Sequence, residues 1–202
     1  MRKTALVFAV FLFTISFGYS QENRFDVALG AVGGFQKQVT GSGVTLTSTD
    51  NVGVLASLRW RLAPRYGIEL NYARTPNAQT FNAPPYIFRL QNISSEYTGA
   101  FVFSFLKRDK YEPFALGGVG DLSFYPKTID VNGVQTSLYE SRQNRLAFLY
   151  GGGVDYKVYS HVAVRLQYRG LLYKAQDYKL SRLFTGVTGH LAEPSVGIVF
   201  RF

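Results

Sequence analysis

The residues that could do chemistry in this chain are two histidines and a regularly spaced set of charged side chains. His161 and His190 are far apart in sequence, and there is no cysteine, so the usual thiolate or histidine cluster for a metal ion is absent from the sequence. Acyl-transfer catalysis would require a histidine beside a serine and a carboxylate. His190 has no serine close by, and His161 falls in a predicted turn. The sequence therefore predicts no catalytic, metal-binding or cofactor-binding site.

The charged side chains recur at alternate positions of extended segments, opposite the bulky apolar residues. This alternating set of six acidic and five basic residues comprises Asp26, Arg59, Arg61, Glu69, Glu96, Asp121, Asp155, Arg165, Arg169, Glu193 and Arg201. Buried ions are tolerated when they are paired. We therefore predict that this set faces inward and forms a mutually neutralising network.

Short turns between the segments fix approximate registers and predict particular pairs within this network. Glu69 is expected opposite Arg59 or Arg61, and Asp155 opposite or diagonal to Arg165. If the last strand pairs with the first, Arg201 is expected near Asp26.

The first twenty residues have the composition of a secretory signal peptide. A basic pair, Arg2 and Lys3, precedes the apolar run Thr4–Phe17, and small residues precede a predicted cleavage after Ser20. The apolar run is too short to span a membrane comfortably. The predicted organisation is a signal peptide over residues 1–20 and one barrel domain over residues 21–202.

The net charge of the predicted mature chain is moderately basic. The whole chain has 22 basic and 13 acidic residues, and removal of Arg2 and Lys3 leaves 20 against 13, a balance of +7. The positive charge is spread along the chain and is not gathered into a stripe. Anionic lipid headgroups or lipopolysaccharide are therefore favoured over nucleic acid as partners.

Eight extended segments alternate between two kinds of connection. The predicted strands cover residues 25–35, 52–62, 66–74, 95–105 and 112–125, a hairpin over 145–173 that turns at 159–161, and 190–202. Four long polar connections, over 36–51, 75–94, 126–144 and 175–189, alternate with three short turns. Long external loops and short periplasmic turns are typical of membrane barrels, and an even strand number places both termini in the periplasm.

The opposite face of the strands carries unusually large apolar side chains. Its bulkiest members are Trp60, Phe101, Phe103, Phe105, Phe148, Tyr150, Tyr168, Phe200 and Phe202. In the fifth strand the same face is assigned to Phe114, Leu116, Leu122 and Phe124. Eight such strands would overfill a small barrel, which disfavours a soluble barrel with this face inside. We predict an all-β, eight-stranded antiparallel up-and-down transmembrane β-barrel, with the apolar face toward lipid.

Several segments resemble the OmpA/OmpX-type small outer-membrane β-barrels. They are Gly151–Gly170, EPFALGGVG from Glu112 to Gly120, and the final FRF. The resemblance covers essentially residues 21–202 and rests on alternation with glycine and aromatic placement. It implies a location in the bacterial outer membrane. The last strand, PSVGIVFRF, resembles the signal read by the barrel-assembly machinery, and no peptidoglycan-binding domain follows it, so cell-wall tethering is not implied.

Three functional classes remain open on this resemblance. A structural or surface-interaction barrel with a charge-plugged lumen is favoured over a narrow, porin-like passive channel, because unpaired buried charges are costly. The loops offer basic residues to lipopolysaccharide phosphates or to other surfaces: Lys37, Arg89, Lys127, Arg142, Lys179 and Arg182. A lipid A-modifying enzyme is less favoured, since the His-x-Ser-Asn pattern of the deacylases is absent. We expect a monomer with no enzyme activity, no cofactor and no nucleic-acid partner, in contact with outer-membrane lipids and lipopolysaccharide.

Overall fold

The computed structural model describes residues 24–106, 110–136 and 142–202. The predicted signal peptide, residues 1–20, lies outside the described residues and stays a prediction. Within them the chain is mainly β-strand, in keeping with its alternating aromatic, β-branched and small residues. No helix of the described segments has the length and apolar character needed to cross a membrane.

Eight long strands and three short ones make up the sheet. The long strands are β1 Phe25–Gln36, β4 Asn51–Ala63, β5 Tyr66–Ala83, β6 Tyr86–Ser104, β7 Tyr111–Val131, β9 Gln143–Tyr159, β10 Val162–Lys174 and β11 Thr188–Arg201. The short strands lie in the connections and are β2 Val39–Gly41, β3 Val44–Ser48 and β8 Val134–Thr136. A single 3₁₀ turn at Ser181–Leu183 interrupts the connection between β10 and β11.

The long strands close into an antiparallel barrel, as predicted. Each pairs with its neighbours in the order β1, β4, β5, β6, β7, β9, β10, β11, and β11 pairs again with β1. At this seam Asp26 lies opposite Arg201 and Leu29 opposite Ile198. The backbone of Phe25 exchanges two hydrogen bonds with that of Phe202, at 3.1 and 2.8 Å. Closure satisfies the strand edges that an open sheet would leave exposed.

Two of the predicted long loops are instead continuations of the strands. β5 runs on to Ala83 and β6 begins at Tyr86, so residues 75–94 form a hairpin that turns at the cis Pro84–Pro85 bond. β7 likewise continues to Val131 and pairs with β8 inside the predicted connection 126–144. Polar residues and prolines suggested loops here. β5, β6 and β7 instead project beyond the band of apolar outward-facing residues that meets lipid, and the outward face there is free to be polar.

The outward face of the barrel is apolar, as predicted for the side that meets lipid. Aliphatic and aromatic residues alternate outward along each wall strand, including Leu29, Val52, Trp60, Leu70, Phe101, Phe148, Leu166, Ile198 and Phe200, all of which are exposed. The strands thus place most of their large apolar side chains outside. The interior contains the charged residues and an apolar cluster.

Strand β7 is the exception, and its predicted faces were wrong. Phe114, Leu116, Leu122 and Phe124 are buried inside the barrel, whereas Val119 on the other face is exposed. Both faces of this strand contain small or apolar residues, so bulk alone did not identify the outer one. The interior position is favoured because these four side chains join the apolar cluster inside the barrel.

Candidate functional site

The end of the lumen nearest Phe25 and Phe202, here called the lower end, is closed by arginines placed between carboxylates. Arg61 contacts Asp26 at 2.7 Å and Glu112 at 2.5 Å, and Arg201 reaches the other oxygen of Glu112 at 3.1 Å. Ser104 donates a further hydrogen bond to Glu112. These residues come from five different strands, so the pairs tie opposite walls of the barrel together.

The middle of the lumen has a second, more deeply buried cluster. Arg165 contacts Asp155 at 2.7 Å and Glu69 at 2.9 Å, and Arg59 contacts Glu69 at 2.7 Å. The Phe114 ring lies against both guanidinium groups, 4.2 Å from that of Arg59 and 5.1 Å from that of Arg165. Cation–π contact on one side and carboxylates on the other leave these cations enclosed by protein.

Above it, a single arginine holds two carboxylates. The Arg169 guanidinium contacts Glu96 at 2.9 Å and also contacts Glu193, and all three side chains are almost fully buried. Thr98 donates a hydrogen bond to Glu96. Because charges without partners are costly in such a setting, this trio depends on Arg169.

The structure confirms most of the predicted network and corrects two points. The Glu69–Arg59 and Asp155–Arg165 pairs are present as expected. Arg201 lies opposite Asp26 at the seam, as expected, while its salt bridges go to Glu112 and Asp155. The Asp26 carboxylate is bound by Arg61 of the neighbouring strand β4, which contacts both Asp26 and Glu112.

Both corrections have one cause, the inverted faces of β7. Asp121 points outward, where it lies opposite the exposed Tyr97 and Leu146 and accepts a hydrogen bond from Ser123. Glu112 points inward and was missed. Its alternation with Phe114 and Leu116 was visible in the sequence and would have placed it inside had the fifth strand been assigned correctly.

The upper lumen is filled by apolar side chains and by the connection that follows β10. Residues from β3, β5, β6 and β7 form the walls of this plug: Leu46, Phe81, Phe88, Leu90, Leu122, Phe124 and Ile129. Tyr178 and Leu183 enter from residues 175–187 and are almost completely buried. The Tyr178 hydroxyl donates to Gln79 at 2.7 Å and accepts from Asn92 at 2.8 Å. Polar anchors therefore hold an apolar plug in one position.

Gln143 fastens the same connection from the start of β9. Its side-chain oxygen accepts from the backbone N–H groups of Asp177 and Tyr178, and its amide donates to the Asp177 carboxylate. Burial opposes ionisation of Asp177, but the hydrogen bonds from Gln143 and from the Lys179 backbone, together with Arg145, hold the pKa of its carboxyl below the usual value. The carboxylate is thus suited to its role as a fixed acceptor at the mouth.

Taken upward, the lumen has a charged lower part and an apolar upper part, and both are filled by side chains. An ion crossing it would have to displace paired guanidinium and carboxylate groups and then pass an apolar plug. The arrangement supports a barrel that is closed in this conformation.

The two histidines lie outside this lumen. His161 is exposed in the turn between β9 and β10, beside Ser160. His190 lies on the outer face near the top of β11, where its Nε2 atom is 2.8 Å from the hydroxyl of Tyr150. The hydrogen-bond partner of His190 is therefore a tyrosine. Within the described segments, no group of histidine and acidic residues could hold a metal ion.

Comparison with known proteins gives the same architecture. A family model described as "Outer membrane protein beta-barrel domain" matches residues 5–190. No curated protein sequence matches the chain.

Three solved structures illustrate the likeness. OprG from Pseudomonas aeruginosa is 12% identical with a TM-score of 0.64, over 89% of this chain and 96% of that one. Neisserial surface protein A is 17% identical with a TM-score of 0.55, over 88% and 97%. Ail, the attachment invasion locus protein of Yersinia pestis, is 13% identical with a TM-score of 0.53, over 90% and 100%. Identities this low show the fold alone. Because the family model spans most of the sequence, the chain belongs to the outer membrane protein beta-barrel domain family, whose members reside in the bacterial outer membrane.

Proposed function

We propose that this protein is a non-catalytic, closed barrel that presents an extracellular extension for contact with anionic polymers at cell surfaces. The observation that carries the proposal is the length of three adjacent strands. β5, β6 and β7 contain 18, 19 and 21 residues, whereas about 9–11 are enough to cross a bilayer at barrel tilt. A membrane anchor alone does not require the additional residues of β5, β6 and β7, which are here called the extension.

The extension is an ordered structure and has an apolar core of its own. Phe81, Phe88, Leu90 and Ile129 are buried within it, and the hairpin of β5 and β6 projects above them. A packed apolar core is needed only if the extension must hold a fixed shape. A fixed surface outside the cell is what a binding role requires.

The surface of this extension is basic and aromatic at its tip. The Arg182 guanidinium lies 5.0 Å above the ring of Tyr86, and Ile87 beside it is half exposed. Lys179 is exposed on the same connection as Arg182, and Arg89 projects from β6. Arginine and tyrosine are enriched in binding surfaces, and the positive charge favours an anionic partner. One solved structure of Ail contains the heparin analogue sucrose octasulfate, which makes a sulfated glycan a reasonable probe.

Cells that display this protein are expected to adhere to immobilised heparin, and the Lys179→Gln/Arg182→Gln variant is expected to lose most of that adhesion. The matched control is Lys37→Gln/Lys174→Gln, which removes the same charge from lower on the barrel wall and is expected to adhere normally. Heat-modifiable gel migration checks that each variant is folded. Equal adhesion by displaying and non-displaying cells would contradict the proposal.

The remaining partners expected from the sequence belong to the same proposal. A monomeric barrel in contact with outer-membrane lipids and lipopolysaccharide is consistent with its apolar outer face. The last strand, which ends in Phe202, is proposed to engage the barrel-assembly machinery.

A further inference from the structure

A hydrogen-bonded aromatic pair lies on the membrane-facing wall where β9, β10 and β11 run side by side. The rings of Tyr150 and His190 are nearly parallel, with centroids 6.1 Å apart, and the Tyr150 hydroxyl is 2.8 Å from His190 Nε2. The pair spans β10 at Gly170. A Cβ atom at that position would lie 2.5 Å from the Tyr150 ring, so the absence of a side chain there lets the tyrosine reach His190.

Two lysines flank this pair. The backbone N–H of Lys37 donates to the carbonyl of His190 at 3.0 Å, which continues the β1–β11 ladder and places the two residues opposite one another. Lys174 pairs with Thr188, two residues before His190 on β11. Lys174 and His190 are thus diagonal neighbours on adjacent strands, about 7–8 Å apart, and the two lysines lie on opposite sides of β11. Both lysines are exposed, and no described residue forms a salt bridge with either.

The height of this cluster coincides with the outer edge of the apolar belt. Phe25 and Phe35 are both exposed at opposite ends of β1, ten residues apart. At about 3.4 Å per residue and a tilt of about 40°, they are roughly 26 Å apart along the barrel axis, close to the ~25 Å expected of the belt. Lys37 is one outward step farther, roughly 5 Å above that edge by the same spacing.

We propose that Lys37, Lys174, His190 and Tyr150 form a binding site for a phosphate group of a glycolipid in the outer leaflet. The lysines supply positive charge at the level of the lipid headgroups, and the Tyr150–His190 pair supplies hydrogen-bonding groups in a fixed position. Phe35 and Leu172, both exposed just below or beside them, offer apolar surface to the acyl chains. The site rests on the lipopolysaccharide contact proposed above and deepens it by naming the residues that hold one phosphate group, and it is separate from the heparin-binding tip.

Native mass spectrometry of the detergent-solubilised protein with diphosphoryl lipid A tests this site. The wild type is expected to bind, and the Lys37→Gln/Lys174→Gln variant is expected to bind at least tenfold more weakly. Tyr150→Phe keeps the ring but removes the hydroxyl, and its affinity is expected to fall severalfold. The Lys179→Gln/Arg182→Gln variant is the charge-matched control and should bind like the wild type, whatever its adhesion to heparin.

Two further ligands identify the group that is recognised. Lipid A without phosphates is expected to bind as weakly as the double-lysine variant binds diphosphoryl lipid A. Phosphatidylglycerol is expected to bind more weakly than diphosphoryl lipid A. An unchanged affinity in the double-lysine variant, an equal loss in the control, or equal binding of phosphatidylglycerol would each overturn the proposal.

Discussion

Replacement of Arg169 by methionine is expected to lower the free energy of unfolding by about 3–5 kcal/mol. The variant keeps most of the side-chain volume but removes the cation that holds Glu96 and Glu193, both almost fully buried. Within the described segments no other cation forms a salt bridge with either carboxylate. Urea-induced unfolding in lipid vesicles measures the change, with Trp60, the single tryptophan, as the fluorescent reporter.

Two companion variants make this result specific. Arg65→Met removes an arginine from an exposed turn, and its unfolding free energy should stay within about 0.5 kcal/mol of the wild type. Adding Glu96→Gln and Glu193→Gln to Arg169→Met removes the orphaned charges and should restore much of the loss. If Arg169→Met leaves the free energy of unfolding almost unchanged, water already reaches the two carboxylates, and this would contradict a filled lumen.

The second large effect is expected at Gly118, where the backbone of β6 lies close to that of β7. A Cβ atom on Gly118 would lie 2.0 Å from the carbonyl oxygen of Gly99 and 2.6 Å from the Cα atom of Ala100. The backbone of β6 would have to move, and the Gly118→Ala variant is expected to lose about 3 kcal/mol or more, or to fail to fold.

The adjacent glycine supplies a closely matched control. A Cβ atom on Gly117 would have its nearest neighbour, the Leu149 carbonyl oxygen, at 4.0 Å. Gly117→Ala should therefore change the unfolding free energy by no more than about 0.5 kcal/mol. The folded fraction on heat-modifiable gels and the urea midpoint report both variants. If the two substitutions behave alike, the close approach of β6 and β7 is not a constraint on the fold.

Much of the barrel could be predicted because period-two alternation and connection length are local properties of the sequence. They predicted the number of long strands, the pairing of the last strand with the first, which brings Arg201 opposite Asp26, and the inward position of residues such as Arg165. Short turns also fixed the two salt bridges that link adjacent strands, Arg59–Glu69 and Arg165–Asp155.

What could not be predicted depends on contacts across the lumen. Arg61 bridges to Glu112 and Arg169 to Glu96 between strands that are not neighbours, so no turn length reveals these pairs. The faces of β7 were assigned wrongly because bulky residues such as Phe114 pack inside, against the arginines and the apolar cluster. Burial of Tyr178 is another such case, since it depends on partners about a hundred residues away.

The central claim, that side chains close this barrel, is tested most directly by single-channel recording of the purified protein in planar bilayers. The paired charges around Arg165 and the apolar plug around Tyr178 predict no large, stable conductance. A reproducible, long-lived open level in the wild-type protein would contradict the claim and would favour the alternative of a narrow passive channel.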